Sequence, residues 1–267
     1  MTLPALLDWR DLQLGSDPDL LRRELEHTIR RTIGAHPRSQ QATIGPSELG
    51  GPCLRRIGHK LAGTPTVNRG IAWRPTVGTA VHSWLADAFE ADNRARVDAL
   101  GNPPADARWA VETSVTVGDI GGKPCKGTAD LYDRVTATVV DWKIVGRSTL
   151  MKARTGGPSG VYRTQLHLYG RGFRNARLPV ERVAIAYLPS SGELHEAHFW
   201  AETYQETVAA QALSRADGVA QALAAAGPDV VLPALSTAEN YCSQCPYFRA
   251  RSTDLARTCP GASAQNR

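Results

Sequence analysis

Between Gly127 and Lys143 the chain reads GTADLYDRVTATVVDWK, two short alternating segments joined by a four-residue turn over 134–137. That loop length is a common one for a hairpin, and it sets the register of the two strands. In this register Asp130 falls directly across from Asp141. Lys143 shares a strand face with Asp141, and Trp142 points the other way. Opposed side chains on paired strands stand about 4.5 to 5.5 Å apart at Cβ, and like charges so placed destabilise a sheet. A divalent cation bridging the carboxylates relieves the repulsion. So does a solvent-facing arrangement in which Lys143 neutralises Asp141, a surface pair worth at most about 1 kcal/mol. The hairpin alone leaves both open.

The flanking segments give a mixed α/β order. SDPDLLRRELEHTIRRTIG predicts a helix with Asp17 as N-cap, Pro18 at the first helical position, Leu21, Leu25 and Ile29 at helical spacing, and Gly34 as its stop. PSELGGPCLRRIGHKLAG predicts a less regular helix carrying Cys53, broken near Gly50-Gly51-Pro52. TVGTAVHSWLADAFEAD predicts an amphipathic helix with Val77, Val81, Trp84, Leu85, Ala88 and Phe89 on its apolar face. In RWAVETSVTV, residues Trp109, Val111, Thr113, Val115 and Val117 share one parity, the pattern of a half-buried strand. After the hairpin come a loop near 155–160, a helix over VYRTQLHLYGRGFRNA, strands VERVAIAYL and ELHEAHFW about the turn PSSG, an Ala-rich helix over 202–226, and a Cys-, Pro- and Arg-bearing tail. The expectation is a single α/β domain over 1–267. It has an N-terminal helical part (1–75), a core (76–200), and a C-terminal helix with the tail (201–267).

Composition narrows the class. The chain has 267 residues, 42% hydrophobic and 21% charged, as in ordinary globular proteins, and a formal charge of +5 that mildly favours an acidic partner such as nucleic acid. The opening MTLPALLDWRDLQLG lacks a basic segment followed by an apolar core, and no run approaches the ~18 apolar residues of a membrane span. The expectation is an intracellular, cytoplasmic protein with no membrane association. Its five cysteines then suggest metal or cluster binding, or inert core thiols, before disulfides. A phosphate-binding Walker loop is absent, since Gly122-Lys123 is followed by Pro124. The expectation is therefore a chain without a fused ATP-driven helicase.

Residues on two further helices bear on the hairpin. His82 lies at the edge of the apolar face of its helix, where it can look along the seam between helix and sheet. Gln165 and Tyr169 stand at i and i+4, with Tyr162 one turn earlier. A hydrogen-bonded boundary histidine and a packing stripe with polar tips account equally for these residues taken singly.

In order, GTAVH with His82, GTAD with Gly127 and Asp130, DWK with Asp141 and Lys143, and QLHLY with Gln165 and Tyr169 resemble the motifs of the RecB-like branch of the PD-(D/E)XK nuclease superfamily. Ala129 stands in place of the nominal proline, and Asp141 where many relatives have glutamate. The cysteines extend the resemblance: Cys53 precedes these motifs, and Cys242-x-x-Cys245-Pro and Cys259-Pro follow them, with thirteen residues between Cys245 and Cys259. This arrangement resembles the iron-sulfur subgroup, which includes AddB-type nuclease domains and the exonuclease family of CRISPR adaptation that also occurs in phages.

The resemblance implies a restriction-endonuclease-like core, a central mixed sheet flanked by helices, with the N-terminal helical part stapled to the tail by a [4Fe-4S] cluster on Cys53, Cys242, Cys245 and Cys259. Structural zinc on the same thiolates is the alternative, and Cys125 is an ordinary strand thiol. His82, Asp130, Asp141 and the carbonyl of Trp142 would hold Mg²⁺ or Mn²⁺. Lys143 would orient the attacking water or stabilise negative charge, and Gln165 and Tyr169 would position the backbone of DNA or that water. Arg55, Arg56, Lys60, Arg147, Lys152, Tyr162, Arg163, Arg171 and Arg174 are candidate DNA contacts. The implied activity is a metal-dependent DNA exonuclease, acting on single strands or ends in recombination, repair or CRISPR-type processing, with a recombination or CRISPR-adaptation protein as a possible partner. A DNA-end-binding accessory protein and a zinc-stapled interaction protein are the competing classes.

Overall fold

In the structure, a computed structural model that describes residues 18–36, 43–68, 73–101, 107–239 and 241–262, the hairpin is the middle of a five-stranded sheet. Its strands run in the order β1 (Trp109–Ile120), β2 (Lys123–Asp133), β3 (Thr138–Val145), β4 (Arg182–Pro189) and β5 (His198–Thr203). The expected turn over 134–137 joins β2 to β3. All neighbours are antiparallel except β3 and β4, which are parallel. A parallel pair needs a crossover, and α5 (Arg147–Gly156) and α6 (Gly160–Asn175) supply it. The expected mixed α/β class is the observed one.

Several boundaries differ from the sequence expectation. β2 starts at Lys123 because Gly121 and Gly122 take positive φ (57° and 72°) and close a two-residue turn from Ile120 to Lys123, the geometry such hairpins need. Residues 147–156 are helical. ELHEAHFW is not one strand: a 3₁₀ turn occupies Leu194–Glu196, and β5 runs on to Thr203, so the Ala-rich helix α7 begins at Glu206 and ends at Ala226. A short helix α8 (Pro228–Ala234) follows it.

The described residues fall into two units, one formed by residues 1–41 with 71–73 and one by 42–70 with 74–267. The first holds α1 (Pro18–Ala35), which continues one residue past Gly34 and carries the exposed Leu21, Leu25 and Ile29; Asp17 lies outside the described residues. In the second, the broken helix is α2 (Pro46–Leu49) and α3 (Leu54–Leu61).

Apolar burial on the two sheet faces sets the layers. Leu166, Leu168 and Phe173 of α6 and Ala209, Leu213 and Ala216 of α7 pack with Val115, Val117, Tyr132, Val139 and Ile185 in the main core. The other face carries Leu131, Trp142 and Ala186, covered by Leu85 and Phe89 of the long helix α4 (Trp73–Leu100). Phe89 stacks on Trp142 at 5.4 Å and meets Trp109 edge-on at 5.1 Å. Val77, Trp84 and Ala88 depart from expectation and are exposed, Trp84 at 68%, because the packed stripe on α4 is narrower than its apolar pattern. Among the described residues, no helix is long and apolar enough to cross a membrane.

Candidate functional site

The ladder between β2 and β3 pairs Asp133 with Thr138, Tyr132 with Val139 and Leu131 with Val140, then stops. One step further, where Asp130 and Asp141 would face each other, the Trp142 N–H donates instead to Asp130 Oδ2 at 2.8 Å. The carboxylate replaces a ladder bond at the point where the strands part. On the other side, Val111 and Thr113 of β1 pair with Leu131 and Ala129, so Glu112 lies across from Asp130. Glu112 and Asp130 therefore stand on neighbouring strands, and Asp141 lies on the third, just past the point where its strand leaves β2.

Glu112 has a positive φ of 41°, a backbone region sparsely used by non-glycine residues. His82 reaches in from α4, its Nδ1 3.2 Å from Asp130 Oδ1. One donor atom each from His82, Glu112 and Asp130 gather within 4.8 Å of one another. Sequence reasoning missed Glu112, because a glutamate alternating with apolar strand residues reads as solvent-facing. Its partner on the neighbouring strand was the only signal available.

The opposite side of the site is built by α6. Asp141 and Lys143 share a strand face as expected, and Trp142 packs on the other face. Gln165 Nε2 donates to Asp141 Oδ1 at 3.1 Å and to the Tyr169 hydroxyl at 3.3 Å. Lys143 Nζ donates to Gln165 Oε1 at 3.3 Å and lies 4.8 Å from the Tyr162 ring centre. It also forms an ion pair with Asp141 Oδ2 at 2.5 Å. Gly127 is required at the entrance: an added Cβ would stand 2.7 Å from Pro46 and 3.0 Å from Tyr169.

Burial pushes Asp141 up to about 6, against the pull of Lys143. Burial likewise opposes charge on Lys143, but the Asp141 carboxylate outweighs it and holds the ammonium above its ordinary value. Burial pulls His82 down; the hydrogen bond and charge of Asp130, with Asp141 behind it, more than reverse this. Asp130 and Asp141 are both buried, and Lys143 is the one lysine among them, so the site carries excess negative charge. An imidazole with several carboxylates is a donor set that fits a hard divalent cation.

A second constellation lies at the tail. Cys53, Cys242, Cys245 and Cys259 line one cavity with Arg56, His59 and Tyr247. Cys53 is the N-cap of α3. The segment after α3 is tied to the tail through Val67 N–H to Pro246 O at 2.9 Å and Asn68 Nδ2 to the Ser243 and Cys245 carbonyls at 2.8 and 3.0 Å. The thirteen residues after Cys245 double back: Cys259 N–H donates to Tyr247 O at 2.8 Å, and Arg249 N–H to Cys259 O at 3.0 Å. Among the described residues, which include all five cysteines, no three cysteine sulfurs come within 4.8 Å of one another. Cys125 stands apart, its Sγ donating to Ile44 O at 3.7 Å, and burial pushes its thiol up to about 11.

The candidate DNA contacts divide. Arg55 is a correction: only 2% exposed, it donates to the carbonyls of Leu232, Pro233 and Leu235 and so caps the end of α8. A guanidinium enclosed in this way cannot reach a phosphate. Arg163 forms a two-bond pair with Glu202, Lys60 pairs with Glu48 at 3.6 Å, Arg171 pairs with Glu206, and Arg174 lies over the Tyr204 ring. Arg147 and Lys152 are exposed on α5, and Arg56 and Tyr162 are half-buried.

No protein-family model and no curated protein sequence matches the chain. Among solved structures, the crystal structure of SSO0001 superposes with a TM-score of 0.45 and 17% identity, over 76% of this chain and 86% of that one. An alkaline exonuclease, LHK-Exo from Laribacter hongkongensis, superposes with a TM-score of 0.40 and 10% identity over 74% of this chain and 93% of its own. Its complex with dAMP gives 0.43 and 11% over 75% and 93%.

Proposed function

We propose that the protein is a metal-dependent nuclease of the RecB-like PD-(D/E)XK class that hydrolyses phosphodiester bonds of DNA, as an exonuclease on single strands or ends in recombination, repair or CRISPR-type processing. The observation that carries this reading is the gathering of His82, Glu112 and Asp130 within 4.8 Å of one another, with the buried Asp141–Lys143 pair on the next strand. A divalent cation held by His82, Glu112, Asp130, Asp141 and the Trp142 carbonyl would polarise the phosphodiester and lower the pKa of the attacking water.

The remaining chemistry belongs to the chain. Lys143 is held protonated by Asp141, so it serves as a fixed positive charge beside the phosphoryl oxygens rather than as a base. Gln165 holds both Asp141 and Lys143 and is anchored to Tyr169, which keeps the acid and the ammonium in one geometry. Water adds to phosphorus and loses its proton to solvent, the bond to one ester oxygen breaks and that oxygen leaves as a hydroxyl with a proton from solvent, and the strand is shortened.

In this reading the four cysteines that line one cavity hold a [4Fe-4S] cluster, as their split order and the Cys245-Pro and Cys259-Pro steps suggest; structural zinc on the same thiolates is the alternative.

End-labelled single- and double-stranded DNA incubated with anaerobically purified protein and Mn²⁺, Mg²⁺ or chelator tests the reading. Shortening that needs the cation is expected; intact DNA with either cation overturns it. Glu112→Gln should raise the Mn²⁺ concentration for half-maximal cleavage by about 10- to 100-fold; an unchanged value removes Glu112 from the site. Binding to single-stranded DNA in chelator should weaken about 20-fold between 50 and 200 mM salt if Arg56, Arg147 and Lys152 each neutralise one phosphate. A flat salt response would exclude these contacts.

A further inference from the structure

His59 is fully buried on α3, three residues after Arg56, and both line the cavity of the four cysteines. Its ring stacks on Tyr247, centroids 4.8 Å apart, and its Nδ1 lies 3.2 Å from Thr64 Oγ1. The other ring nitrogen, Nε2, is buried and has no hydrogen-bond partner among the described residues. Leaving such a group unmade costs about 1 to 3 kcal/mol, so an unpaired nitrogen in a cavity wall marks a contact still to be made.

The tautomer decides what that contact is. A neutral imidazole has one N–H and one lone pair, and burial, with the Arg55 charge, lowers His59 to about 4 and keeps it neutral. The Thr64 hydroxyl can accept from or donate to Nδ1; where it donates, the proton lies on Nε2. Thiolates and inorganic sulfide are electron-rich, so they attract that N–H and repel a lone pair in its place.

We infer that the Nε2–H of His59 donates a hydrogen bond to a sulfur of the group held by Cys53, Cys242, Cys245 and Cys259, making His59 a positioning residue that raises the group's reduction potential. The inference rests on the cluster reading above. Hydrogen bonds to sulfur are among the levers that set cluster potentials, because they stabilise the extra electron of the reduced state.

The test uses wild type, His59→Phe, which keeps a ring against Tyr247, and Thr64→Val, which keeps the imidazole but removes the hydroxyl beside Nδ1. Iron and sulfide content, visible absorption and midpoint potential are measured on anaerobically purified full-length protein. His59→Phe should retain the iron of wild type and show a more negative potential, with the oxidised-to-reduced ratio at fixed potential raised about tenfold, 59 mV for one electron. Thr64→Val should shift the same way by less. Wild-type potential in His59→Phe overturns the inference and leaves the cluster reading standing. Should His59→Phe lose its iron, Thr64→Val decides: an unmoved potential overturns the inference and a negative shift supports it. Wild type purified without iron overturns the cluster reading, and the inference with it.

Discussion

Asp130→Asn and Asp141→Asn should each lower cation-dependent DNA hydrolysis by about 10³-fold or more, about 4 kcal/mol of barrier. Asparagine is the informative replacement. At position 130 it keeps an oxygen for the Trp142 N–H, so the strands part as before, and only the charge and a cation ligand are lost. At position 141 it keeps an acceptor for Gln165 Nε2 but deprives Lys143 of its counter-charge. Initial rates on end-labelled DNA, alongside far-UV circular dichroism, separate lost chemistry from lost fold. Folded variants that both retain rates within tenfold of wild type would remove the site.

The same carboxylate gives a pH signature. The Asp141 pKa is raised on folding from 3.8 to about 6, so in metal-free protein its contribution to stability is fully present below pH 4 and is lost as pH rises through about 6. A bound cation requires the ionised form. Mn²⁺ should therefore raise the melting temperature more at pH 7.5 than at pH 5, and this difference should shrink in Asp141→Asn, the remainder coming from His82, whose imidazole must also lose its proton to bind the cation. Equal stabilisation at both pH values would exclude Asp141 as a ligand.

Cys53→Ser should abolish iron binding and destabilise the protein by about 5 kcal/mol, the chain-entropy value for a cross-link closing a loop of nearly 190 residues. For a chain of this size that corresponds to a fall of about 10 to 20 °C in melting temperature. Cys125→Ser provides the contrast, since its sulfur contacts the Ile44 carbonyl rather than the cavity; it should keep its iron. Iron content and thermal melts read both, and a Cys53→Ser protein with iron and melting temperature intact would exclude the staple.

Much of the site was legible in local pattern. Alternation placed Asp141 and Lys143 on one strand face and Trp142 on the other, the four-residue turn set the register from Asp133–Thr138 to Leu131–Val140, and helical spacing put Gln165 and Tyr169 on one side of α6. These relations depend only on the pitch of a helix or the pleat of a strand, and they survive whatever packs against them. The order of those residues, with the split cysteines, was also readable before any contact was known.

What only the tertiary structure decided depends on partners far apart in sequence. Glu112 joins His82 and Asp130 because β1 pairs with β2. Arg55 became a cap because the end of α8 lies against α3, about 180 residues away in sequence, and Arg163 was taken by Glu202 of β5. Trp84 stayed exposed although its spacing fits the apolar face of α4, and Cys259 returned to the cavity only through the fold-back after Cys245. A sequence states which residues can share a face; which charge neutralises which, and which buried nitrogen lacks a partner, follows from where separate elements meet.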